Sequence, residues 1–249
     1  MKKLLSLLAF LLVTFTANAQ STLKGDMNDD GQKNITDVML LVDEILNGSK
    51  PIAYLTCPDE NHPHLIDLGL SSGTKWACCN VDDDHSKQSP SNYGSYYAWG
   101  ETKEDEDLMY DWSSYIHCDG NYDTCHDLGS DIAGTQNDVA HYQWGGSWVM
   151  PSLDQIEELL DICTSTWTSQ NGVYGRVFTG PNGGSIFLPA SGFRLYSGLK
   201  HQGGSGDYWS STQVSSNSHS ANYLYFDSNL TLWDVDDRSV GRTVRPVSK

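Results

Sequence analysis

From Leu65 onward the chain offers no long apolar run and a single clear helical period, so its core must come from short segments and large aromatic rings. Gly, Ser, Asn, Trp and Tyr dominate this stretch, and all eight tryptophans fall in it. Each such ring can bury roughly 150–250 Å². The one helical signal follows Pro151. Ser152 is placed as N-cap with Gln155 completing a capping box, and Leu153, Ile156, Leu159, Leu160 and Cys163 form an apolar stripe. Short apolar runs between turn signals predict strands over 96–99, 185–188, 208–211, 223–226 and 243–247. The expected fold class is α+β, with short strands and long loops filling 65–249.

The N-terminal segment sets the expected compartment. Lys2 and Lys3 precede an almost unbroken apolar stretch from Leu4 to Phe15, and Ala17-Asn18-Ala19 gives the small-x-small pattern cut by signal peptidase. Residues 1–19 thus read as a signal peptide, and the protein as exported: periplasmic, surface-bound or extracellular. The apolar stretch is shorter than the roughly 20 residues a membrane span needs, so membrane insertion is not expected. A net charge of −17 repels phosphate backbones and anionic lipid, which argues against nucleic acid as a partner.

Between these regions, residues 26–37 carry the most specific short motif. Calcium takes about six to eight oxygen ligands, supplied by positions 1, 3, 5, 7, 9 and 12 of a twelve-residue loop. Those positions hold Asp26, Asn28, Asp30, the Gln32 carbonyl, Asn34 and Asp37. Gly31 stands where the loop turns most sharply. Ile35, Val38, Val42, Ile45 and Leu46 then recur at helical spacing, and Gly48 ends the run. Calcium is the expected cofactor. Prolines at 51, 58 and 63 mark 49–64 as a linker.

The segment 25–48 resembles one repeat of a type I dockerin, which lacks the entering helix of an EF-hand and uses Asp at position 12. That resemblance implies calcium-dependent folding and docking to a cohesin-like partner. Dockerins usually carry two repeats and one is visible here, so docking or assembly is the alternative function.

The larger part resembles another family. Residues 65–77 (LIDLGLSSGTKWA) with Cys79-Asn80-Val81 look like the opening of the domain named for the Fibrobacter succinogenes major paralogous proteins. Residues 97–103 (YAWGETK), 148–152 (WVMPS), 185–190 (SIFLPA), 208–212 (YWSST) and 241–247 (GRTVRPV) continue the match in order. The resemblance implies a C-type lectin-like fold, common in exported Bacteroidetes proteins, with a small core under long loops. Sugar-binding members use calcium through Glu-Pro-Asn or Gln-Pro-Asp, and neither tripeptide occurs here.

Six cysteines in an exported chain suggest disulfides. Cys118 and Cys125 enclose a short polar loop and are the first candidate pair. A zinc site with His117 and His126 is the competing reading, but the histidines adjoin the cysteines in sequence and the spacing fits no common finger. The family resemblance implies Cys79 with Cys163 as a second pair; Cys57 and Cys78 stay open.

A ligand face is expected within 212–242. Alternation along 222–227 puts Leu224 and Phe226 inward and Tyr223, Tyr225 and Asp227 outward. Ser215, Asn217, His219, Asn229, Trp233, Asp234, Asp236, Asp237 and Arg242 surround them. Rigid aromatics mixed with adaptable polar groups suit recognition of a surface protein or glycan; an ordinary solvated edge has the same composition. Some C-type lectin-like domains are diversified by retroelements at adenine-rich codons near the C-terminus. Here the scaffold motifs bracket idiosyncratic polar and aromatic residues in the same way.

Catalysis is not expected. His-Glu-x-x-His and a phosphate-binding glycine loop are both missing from the sequence. The formylglycine-generating enzymes have a related fold with active cysteines. Cys118 and Cys125 fit that role only loosely, and a disulfide explains them more simply.

Overall fold

The computed structural model describes residues 64–248. The expected signal peptide, calcium loop and following helix, Cys57 and all but the last residue of the expected linker lie outside the described residues.

The start and end of this domain pair with each other. Strand β1 (Leu65–Asp67) and β2 (Lys75–Ala77) form a hairpin, and β11 (Val247–Ser248) joins the other side of β2 with Val247 opposite Trp76. Two short α-helices follow among the described residues, α1 (Val139–Trp144) and α2 (Leu153–Ile162). Helix α2 starts as the sequence dictates. Ser152 Oγ accepts from the Gln155 N–H, and the Gln155 side chain accepts from the Ser152 N–H, closing the capping box. Its apolar stripe buries Ile156 and Leu159 completely.

After α2 the chain is mostly strand. β3 (Thr164–Gln170), β4 (Val173–Thr179) and β5 (Ser185–Pro189) make one antiparallel sheet. β6 (Phe193–Leu195) and β7 (Gly198–Lys200) form a small hairpin. β8 (Gly206–Gln213), β9 (Ser220–Phe226) and β10 (Thr231–Asp237) form a third antiparallel sheet with β9 central and β10 at an edge. The fold is α+β, dominated by small sheets.

Alternation makes the third sheet a partition between two cores. Tyr208, Leu224 and Phe226 point into a cluster with Trp76, Ile156, Leu159, Phe178 and Leu188. Trp209, Ala221 and Tyr223 point the other way, into a cluster with Tyr97, Trp99, Trp144, Trp148 and Val244. Buried indoles need partners for their N–H groups. Trp99 Nε1 donates to the Ser210 carbonyl at 2.8 Å and Trp209 Nε1 to the Tyr97 carbonyl at 2.9 Å. Gly206 lies so close over Phe226 that an added Cβ would sit 2.0 Å from the ring.

Three expectations need correction. Residues 96–99 form no strand, only an isolated bridge from Tyr97 to Arg242, because the Trp99 N–H goes to the Arg238 carbonyl and no continuous ladder forms. Strand structure near the C-terminus covers Val247–Ser248 rather than 243–247, and Thr243 makes only a bridge to Tyr208. Cys79 and Cys163 do not bond to each other, since Cys79 lies in one core cluster and Cys163, the C-cap of α2, in the other. Cys118 and Cys125 do form a disulfide.

Candidate ligand-binding pocket

The pocket begins with the strand pairing. Directly opposed residues of antiparallel strands share a face. Asp207 opposes Tyr225 across β8 and β9, Trp209 opposes Tyr223, and Leu232 and Asp234 of β10 oppose Tyr225 and Tyr223. One side of the sheet therefore gathers aromatic and acidic groups. Beside it, β6 contributes Phe193, the turn after β7 contributes His201, Gly204 and Ser205, and the segment after β10 returns with Arg242. These groups, with Asp227 and Asp236, enclose a cavity of about 350 Å³, within the usual range for a small-ligand site.

Arg242 is its central cation. The side chain is 1% exposed, and its Nη2 meets Asp236 Oδ2 at 2.5 Å. Its guanidinium lies 3.9 Å from the Tyr223 ring centroid, 4.6 Å from Trp209 and 5.5 Å from Phe193. Among the described residues Nε and Nη1 have no hydrogen-bond acceptor, and ring faces offset the loss of water around them. Burial pushes the Tyr223 phenol up to about 12, against the pull of Arg242. Tyr223 is therefore an inner wall beneath Arg242 and not the outward contact that alternation alone predicts.

Asp207 is buried in the wall, and its Oδ2 accepts from Ser205 Oγ at 2.6 Å. Burial raises its carboxyl above the ordinary range, with Arg242 opposing. Asp227 has a different role. Its Oδ1 accepts from the N–H groups of Asn229 at 2.6 Å and Leu230 at 3.0 Å, capping the β9–β10 turn, and these bonds hold its carboxyl low. Tyr225 is half-buried and its hydroxyl donates to Asp227 Oδ2 at 3.3 Å.

The structure thus divides the residues singled out in 212–242. Tyr223, Tyr225, Asp227, Asp236 and Arg242 line the cavity together. Asp234 is exposed on the same side of the sheet, and Asn229 is exposed in the adjoining turn. Ser215 and Asn217 belong to the exposed β8–β9 loop. His219 stacks on Tyr122 at 4.0 Å, and Asp237 accepts from Trp112, so both serve the contact with the disulfide-bonded segment. Trp233 opposes Leu224 and sits on the other side of the sheet, away from the cavity. Phe193, His201, Ser205 and Asp207 lie outside 212–242 and enter only through folding. The one local signal was Asp207, two residues before Trp209 and so on its face of the strand.

A shallower recess of about 480 Å³ is lined by Asp83, His85, Thr102, Lys103, Tyr142 and Gln143. Asp83 is already spent there on structural bonds, accepting from the Tyr97 hydroxyl, the Gln143 amide and the Glu104 N–H. Among the described residues no group of three or more His, Cys, Asp and Glu side chains is placed to hold a metal. No helix among them is long and apolar enough to cross a membrane. The candidate calcium ligands, Asp26 to Asp37, lie outside the described residues.

No protein-family model, curated protein or solved structure matches this chain.

Proposed function

We propose that the chain is an exported, non-catalytic binding protein that recognises a surface ligand at the cavity built by β8, β9, β10 and Arg242. The observation that carries this reading is the convergence of Tyr223, Tyr225, Asp227, Asp236 and Arg242 on one cavity, already braced by an ion pair and ring stacking. Binding sites held rigid before the ligand arrives lose less entropy on association. The domain is read as C-type lectin-like, which the α+β class, the small sheets and the long irregular stretch between β2 and α1 support. The N-terminal repeat is read as a calcium-stabilised module, with docking to a cohesin-like partner as its alternative use. If a retroelement diversifies the face, an imperfect repeat of codons 206–247 should lie beside a reverse transcriptase gene.

The test is a screen of the mature protein against an immobilised panel of surface glycans and surface proteins, with Tyr225→Ala and Asp26→Ala alongside. The proposal expects capture of a panel member to fall tenfold or more in Tyr225→Ala and to persist in Asp26→Ala. The reverse pattern would assign binding to the calcium loop.

A further inference from the structure

The charges around the cavity do not balance within the domain. Three carboxylates, Asp207, Asp227 and Asp236, face one arginine and one histidine, His201. Asp236 takes Arg242 in the ion pair. Asp227 is occupied by the Asn229 and Leu230 N–H groups and by the Tyr225 hydroxyl. Asp207 remains, 2% exposed, with a single serine hydroxyl on one oxygen and no ion pair among the described residues.

Arg242, already paired with Asp236, and His201 only partly offset the burial of Asp207, and a carboxylate left without an ion pair of its own in a cavity wall favours an incoming cation. A neutral sugar would offer Asp207 hydroxyl donors but add nothing to the partial compensation of its charge by Arg242 and His201. A cation would supply both the donors and the countercharge. The Tyr225 ring stands beside Asp207 across the strand pair, and an aromatic ring next to a carboxylate favours a cation further. Beyond it lies β10, whose outer edge is unpaired in the sheet and carries exposed Leu232 and Asp234 on the cavity side. An extended segment can hydrogen-bond to such an edge while sending one side chain inward. The chain's net charge of −17 also draws basic partners toward it.

Resting on the binding reading above, we infer that the cavity receives the cationic side chain of a lysine or arginine from a protein ligand, with Asp207 as its counter-ion. Tyr225 packs against the arm of that side chain, and Arg242, locked to Asp236, shapes the wall without contacting the charge directly.

The experiment is a two-dimensional NMR titration of the mature chain with Nα-acetyl-lysine methylamide, Nα-acetyl-norleucine methylamide and a set of methyl glycosides. The inference expects saturable shifts at Asp207 and Tyr225 with the lysine compound alone, weakening as salt is added. Asp207→Asn keeps the size and the Ser205 contact, and should weaken the lysine compound tenfold or more with an otherwise native spectrum. If that variant unfolds, Tyr225→Leu at the half-buried position should weaken binding several-fold. Equal shifts with norleucine, or undiminished lysine binding in a folded Asp207→Asn, would overturn the inference. Shifts at the cavity with a glycoside and not with lysine would also overturn it while leaving the cavity a binding site. Cavity signals unmoved by any compound would overturn it too, and the Tyr225→Ala result in the panel screen would then decide separately whether the broader reading stands.

Discussion

Three arginines near the C-terminus are almost fully buried, and each is held differently. Arg245 donates from Nε to Asn80 Oδ1, from Nη1 to the Ala77 carbonyl and from Nη2 to the Phe187 carbonyl, so it ties β2 and β5 to the closing segment. Removing it strands those acceptors, and Arg245→Ala should cost about 3–5 kcal/mol in urea unfolding. Arg238 instead reaches Tyr115, His126 and Ser218 beneath the disulfide-bonded segment. Close by, burial pushes the Glu101 carboxyl up to about 7, Asp105 adds to the rise, and the Ile116 N–H opposes it. The folded protein therefore binds a proton that the unfolded chain, near 4.5, releases earlier. Its contribution is complete below about 4.5 and is lost as pH climbs through about 7. Against Glu101→Gln, the wild type should lose about 3 kcal/mol between those limits, read from denaturation at several pH values.

Helix α2 was legible in the sequence because its cap and its stripe are both local. Ser152→Ala should cost about 1 kcal/mol, measured by thermal unfolding. The β3–β4 hairpin was not read. β3 is rich in Thr and Ser and largely open to solvent, and Gly175 and Arg176 interrupt the apolar residues of β4, so neither strand shows apolar alternation. Yet its turn carried a signal, since Asn171 and Gly172 at φ of 51° and 81° form the Asn-Gly pair that hairpins favour. Residues 96–99 differ for the opposite reason, being apolar enough for a strand but bonded through Tyr97 and Trp99 to the separate carbonyls of Arg242 and Arg238 and not to a neighbouring strand. The candidate site divides along the same line. Tyr223, Tyr225 and Asp227 were legible as one alternating run, and Asp236 and Arg242 as its polar neighbours. Phe193, His201, Ser205 and Asp207 were not, because only the return of β6 and β8 brings them to that face.

At the scale of the molecule, the segment from Tyr110 to His126 has little regular structure beyond two 3-10 turns. It is held by the Cys118–Cys125 disulfide, by Arg238 and by the stacking of Tyr122 on His219 in the β8–β9 loop. Reducing that disulfide should lower stability by about 2–3 kcal/mol, as expected for so short a closed loop, with the loss visible as a lower melting temperature. The cavity lies on the same sheet but draws its walls from β6, β8, β9, β10 and the Arg242 segment, and so should keep its ligand if the disulfide segment loosens. The most direct test of the central claim is amide hydrogen exchange across the mature chain with and without the ligand that the panel screen captures. The account predicts protection in 201–207, 223–227 and 236–242; protection confined to 25–48, with these segments unchanged, would contradict it and place recognition in that N-terminal segment.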